Sequence, residues 1–85
     1  MPRISMFFGI VVYMYYDDHK PPHFHASYEG LEAMFDFEGN LIKGFMLIRA
    51  QKLIKEWCSL HKKELKENWE SARESKPLNW VEPLR

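Results

Sequence analysis

Near residue 46 the apolar pattern changes period, and that change limits the chain to one class of fold. Before it, Leu31, Ala33, Phe35 and Phe37 alternate with Glu32, Met34, Asp36 and Glu38. A two-residue period places one set of side chains on each face of a strand. After it, Ala50, Leu53, Ile54, Trp57 and Leu60 recur at the spacing of an amphipathic helix. A chain whose strands all precede one long helix folds as an α+β two-layer domain, an antiparallel sheet with the helix packed on one face.

The expected elements follow from the same pattern. Residues 7–16 are aromatic and β-branched and read as one central strand buried on both faces. A loop at 17–22 leads to a strand over 23–28, in which Phe24, Ala26 and Tyr28 face one way and His23, His25 and Ser27 the other. Glu29-Gly30 and Gly39-Asn40 are turn signals, which bound strands over 31–38 and 41–45. The result is a meander of four strands. The helix is expected over 47–75 and ends before Pro77, with Leu65, Trp69 and Ala72 continuing the edge of its stripe. Residues 78–81 have the composition of a short final strand, and Trp57, Trp69 and Trp80 are expected in the core.

At 85 residues the chain is one domain with a small core. No apolar run approaches the roughly 20 residues of a membrane span, and no leader with a small-residue cleavage site follows Met1-Pro2-Arg3. Cys58 is the lone cysteine, flanks the helix stripe and suits a reducing cytoplasm. It reads as inert. Net charge is zero but uneven. Residues 1–40 hold two basic and six acidic groups, whereas residues 41–66 hold seven basic and two acidic. Arg49, Lys52, Lys55, Lys62, Lys63 and Lys66 form the outer face of the helix, either as ordinary solvated surface or as a contact for an anionic partner such as RNA.

Chemistry is concentrated in Asp17-Asp18-His19-Lys20-Pro21-Pro22-His23-Phe24-His25. Three of the four histidines lie within seven residues, on a loop that two prolines stiffen. Three readings stand together. The imidazoles brace the loop against the Asp side chains; or they act as acid and base on phosphate or ester substrates; or His23 and His25 bind a divalent metal, with His19 or Asp17/Asp18 as third ligand. No standard zinc spacing is present. On the helix, His61, Glu64 and Asn68 interrupt the apolar stripe. Buried polar groups need partners, so either the helix overhangs the sheet here or these residues form the second wall of a polar pocket.

Several of these residues also carry a resemblance. The start Met1-Pro2-Arg3-Ile4, the stretch Phe8 to Tyr16, Asp18-His19 and Pro21-Pro22-His23-Phe24-His25 resemble the small prokaryotic family called domain of unknown function 4160. Glu56-Trp57, His61, Glu64-Leu65, Asn68-Trp69 and Pro83-Leu84 agree with its pattern. The resemblance implies a cytoplasmic protein encoded beside a partner of a second uncharacterised family, domain of unknown function 2442, in a toxin–antitoxin-like module. It brings no established activity.

Two functions are therefore expected. In the first, the chain is a small ribonuclease toxin: His19, His23, His25, His61 and Glu64 form its reacting groups, and Asp18, Asn68, Lys52, Lys55 and the basic helix face bind the substrate. In the second, it is a non-enzymatic, antitoxin-like module whose open sheet edge pairs with the neighbouring gene's product or a second copy.

Overall fold

The computed structural model describes residues 2–85. Five antiparallel strands form one sheet in sequence order: β1 (Arg3–Phe7), β2 (Ile10–Tyr13), β3 (Phe24–Tyr28), β4 (Leu31–Phe35) and β5 (Leu41–Gly44). One helix, α1 (Ile48–Arg73), follows. The fold is the expected α+β meander with a C-terminal helix, with one strand more than the apolar pattern predicts.

The extra strand comes from inside the run at 7–16. Phe8 (φ 50°) and Gly9 (φ 83°) are both left-handed and close a two-residue hairpin between β1 and β2. Such hairpins require positive φ at both central positions, which glycine supplies freely and phenylalanine does not. The apolar side chain of Phe8 hides the turn from a reading based on hydrophobicity.

The core lies between one sheet face and the helix. Ile4, Phe7, Ile10, Val12, Phe24, Ala26, Ala33 and Phe35 meet Ala50, Ile54, Trp57, Cys58, Leu65 and Trp69. Trp57 touches Phe7 and Phe24, with ring centroids 5.3 and 5.7 Å apart. Cys58 is buried, and Leu60, expected on the stripe, is 63 % exposed. At about 100° per residue Leu60 falls on the flank away from Cys58, so the buried seam runs through Ala50, Ile54, Cys58 and Leu65 instead.

The helix leaves helical geometry at His61 (φ −129°, ψ 26°). Two residues earlier the Ser59 hydroxyl donates to the Glu56 carbonyl at 2.6 Å, a back-bond of the kind that bends helices. Under the helix, the turn at 36–40 passes so close that a Cβ on Gly39 would lie 2.6 Å from the Lys55 Cα.

Residues 76–85 form no strand. They return along the outer edge of β1, where the Val81 amide donates to the Ile4 carbonyl at 2.7 Å and the Trp57 indole donates to the Glu82 carbonyl at 3.0 Å. Trp80, expected in the core, is exposed, while Val81 and Leu84 fill that place. Among the described residues no helix is long and apolar enough to cross a membrane.

Candidate functional site

Asp18 organises the histidine loop. Its Oδ2 lies 2.8 Å from His23 Nε2 and 3.3 Å from His25 Nε2. Its Oδ1 accepts the His19 amide at 2.9 Å. Burial works to raise the Asp18 carboxyl, but the bonds from His25, the His19 amide and His23 more than offset it and hold its pKa below the ordinary value.

The two histidines face different surroundings. His23 immediately precedes β3, is 1 % exposed, and packs against Trp69 of the helix at 5.3 Å. Its Nδ1 lies 2.7 Å from the Pro21 carbonyl, which accepts and never donates, so Nδ1 carries a proton. His25 follows Phe24 within β3 and therefore points to the sheet face that the helix leaves open. Burial lowers its pKa; Asp18 opposes that effect and His23 adds to it.

Strand register extends the site in directions that sequence reasoning misses. Arg3 pairs with Tyr13, Tyr13 with His25, His25 with Met34, and Met34 with Lys43, so five residues form one row across the open face. The Tyr13 and His25 rings stack at 5.4 Å and 14°. The Tyr13 hydroxyl reaches across β3 and donates to Glu32 Oε2. Burial, and then the bond and charge of Glu32, push the Tyr13 pKa well above its ordinary value. His25, Glu32, Met34 and Lys43 line a shallow cleft of about 280 Å³ on this face.

The second wall does not join this cluster. His61 Nδ1 and Glu64 Oε1 pair with each other at 2.8 Å, beside Trp57. Asn68 is buried, and both ends of its amide are occupied: Nδ2 donates to the Asn79 carbonyl and Oδ1 accepts the Asn79 amide, each at 2.8 Å. The polar break in the helix stripe is thus a strap for the returning tail. His19, 84 % exposed, stands at the rim with Nδ1 3.9 Å from Asp18.

The basic helix face lies across the sheet from His25. Lys55 donates to Asn40 at 2.9 Å, Lys62 pairs with Glu38 at 2.7 Å, and the Arg49 Nε donates to the Tyr28 hydroxyl at 3.2 Å. Lys52 lies by the same 39–41 turn as Lys55. Lys43 and Arg3, the two ends of the cross-strand row, bring positive charge to the His25 face.

The family pattern of a domain of unknown function, DUF4160, matches residues 9–70, which span the whole histidine cluster and most of the helix. The chain belongs to the DUF4160 family. The matched stretch holds Asp18, His23 and His25, the cleft residues Glu32 and Lys43, and the His61–Glu64 pair. Asn79, which Asn68 holds, lies outside it. No curated protein and no solved structure matches the chain.

Proposed function

We propose that this DUF4160 protein is a small hydrolase of RNA phosphodiesters, the toxin component of a two-gene toxin–antitoxin-like module. The observation that carries the reading is the row on the open sheet face. His25 Nε2 is held by Asp18, its Nδ1 has no hydrogen-bond partner among the described residues, and Lys43 stands along the same cleft. A carboxylate that fixes one imidazole nitrogen orients the other for proton transfer. Lys43 supplies the charge that a phosphate contact requires. In the step proposed, the attacking oxygen gives its proton to His25 as the new P–O bond forms, and the departing oxygen takes a proton from solvent as its bond breaks. A cytoplasmic setting agrees with an RNA substrate and with the free thiol of Cys58.

The test is RNA cleavage by the purified protein, alongside growth on induced expression. Cleavage that falls at least about 100-fold in His25→Ala, together with weaker RNA binding in Lys43→Ala, supports the reading. RNA left intact by the parent protein, or His25→Ala as toxic as the parent, overturns it.

A second reading, the non-enzymatic module, rests on β5. The tail lies along the outer edge of β1, but the outer edge of β5 has no strand beside it among the described residues. Ile42, Phe45, Leu47 and Ile48 are exposed on or next to it, Phe45 by 78 %. An open edge with apolar side chains pairs with another chain. Light scattering on the protein alone and with the neighbouring gene's product checks this. A monomer in both samples removes the reading.

A further inference from the structure

We propose that Asp18 Oδ2, His23 Nε2 and His25 Nε2 form a site for one divalent transition-metal ion of the zinc class. The proposal rests on the hydrolytic reading of this cluster and changes one role in it. With His25 Nε2 on the ion its Nδ1 carries the ring proton, so the ion in place of His25 would activate the attacking oxygen. The binding itself is measured without any RNA.

The proton on His23 Nδ1 is committed to the Pro21 carbonyl at 2.7 Å. His23 Nε2 then faces Asp18 Oδ2 at 2.8 Å, and His25 Nε2 approaches the same oxygen at 3.3 Å. The three potential ligand atoms all lie within 4.8 Å of one another. A carboxylate oxygen and the lone pair of a neutral imidazole repel each other unless a cation lies between them. A proton joins one such pair, whereas a metal ion accepts electron pairs from all three groups at once.

The supporting contacts are those of a ligating set. A histidine that binds a metal characteristically donates its other N–H to a backbone carbonyl or carboxylate, as His23 does to Pro21. The remaining Asp18 oxygen is held by the His19 amide. Both rings are fixed by packing, His23 on Trp69 and His25 on Tyr13, and such rigidity favours a preorganised site. Zinc bonds of roughly 2.0–2.1 Å in tetrahedral array set ligand atoms about 3.3 Å apart. The His25 contact already has that separation, the His23 contact needs to open by about half an ångström, and the two ring nitrogens, within 4.8 Å of each other, need to settle to it.

Ligand type selects the ion. Two imidazoles and one carboxylate suit zinc and its transition-metal neighbours rather than calcium or magnesium, which take mainly oxygen ligands. Three protein ligands leave a coordination position for water or substrate, as in catalytic rather than structural sites. Asp18 and His25 are partly exposed and border solvent, and the buried His23 closes the opposite side. Of the third ligands that the sequence offers, His19 or Asp17/Asp18, it is Asp18 that lies with His23 and His25.

The experiment is zinc calorimetry on chelator-treated protein, together with visible absorption after addition of cobalt(II). The expected result is one ion per chain, with cobalt bands of four- or five-coordinate intensity. His25→Ala and Asp18→Asn should each weaken binding by about 10–100-fold or more. His19→Ala should leave binding unchanged. His25→Ala with parental circular dichroism keeps the comparison free of a folding defect. Absence of heat and cobalt bands overturns the proposal, as does His25→Ala binding like the parent, or His19→Ala losing as much as His25→Ala. The two readings separate cleanly. RNA cleavage that persists in chelator without metal binding removes the metal site and leaves the hydrolase. Metal bound on these ligands without RNA cleavage leaves the site and removes the RNA reading.

Discussion

Tyr13 lies flat against His25, its directly paired neighbour on β3, and carries its hydroxyl over that strand to Glu32 on β4. One side chain thus fixes the plane of the partly exposed imidazole and ties three strands together on the face away from the helix. Tyr13→Phe keeps the stacked ring and removes only the bond to Glu32. Because Glu32 is exposed and regains water, the expected loss is about 1 kcal/mol. A urea midpoint lowered by that amount, with metal affinity unchanged, is the outcome to measure.

Asn68 has the opposite character, because it is buried and both its amide groups are used by Asn79. Asn68→Ala removes two hydrogen bonds and leaves the Asn79 amide and carbonyl without these partners, at an expected cost of about 2–3 kcal/mol. Asn68→Asp, though isosteric, should be comparably harmful, since a carboxylate has no proton for the Asn79 carbonyl. Limited proteolysis by trypsin should cut both variants after Arg73, where the helix passes into the tail, well before the parent chain.

Asp36 predicts a pH dependence. Burial tends to raise its carboxyl, but the Asn40 amide and side chain, the Glu38 amide and the Lys55 charge together lower its pKa below the ordinary value of 3.8. A group depressed on folding contributes stability that is fully present above its unfolded pKa and disappears as pH falls through its folded one. The stability difference between the parent and Asp36→Ala should therefore be largest at pH 5–7, about 1 kcal/mol, and shrink below about pH 4. Taking this difference also cancels the acid titration of Asp18, which is common to both chains. Urea unfolding at pH 7 and pH 3 gives the comparison, and a difference that grows toward acid contradicts it.

Cys58 is buried in the core, and burial pushes its thiol up to about 12. The native protein should react with a soluble thiol reagent only through opening of the helix, slower than the urea-unfolded chain by roughly a thousandfold or more. Equal rates in the two states would show that the helix is not seated on the sheet.

The parts of the fold that were legible are those where one pattern repeats. From Phe24 to Phe35 strict alternation separates the helix-facing side chains from His25, Ser27, Glu32 and Met34, and the structure keeps that division. The hairpin at Phe8-Gly9 was not legible, because Gly9 is its single local mark and the apolar residues on both sides continue across it. The histidine cluster announced itself by density. That Asp18 closes it, and His19 does not, depends on where adjacent loop side chains point, which spacing does not encode. Tyr13, Glu32 and Lys43 are remote in sequence and meet only through strand register. Asn68 was half legible. A polar group in an apolar stripe does need a partner, but that partner is the backbone of a tail whose return path no periodicity describes.

The tail along β1 also bears on how copies of this chain can assemble. A sheet with two bare edges has a valence of two and can add strands without end. With the segment around Val81 on one side, β5 is the edge that remains available for pairing among the described residues. Two copies that join β5 to β5 through a twofold axis use up both sites, so growth by edge pairing stops at the dimer. Freeing the tail restores the second site, and with it the head-to-tail geometry that builds filaments.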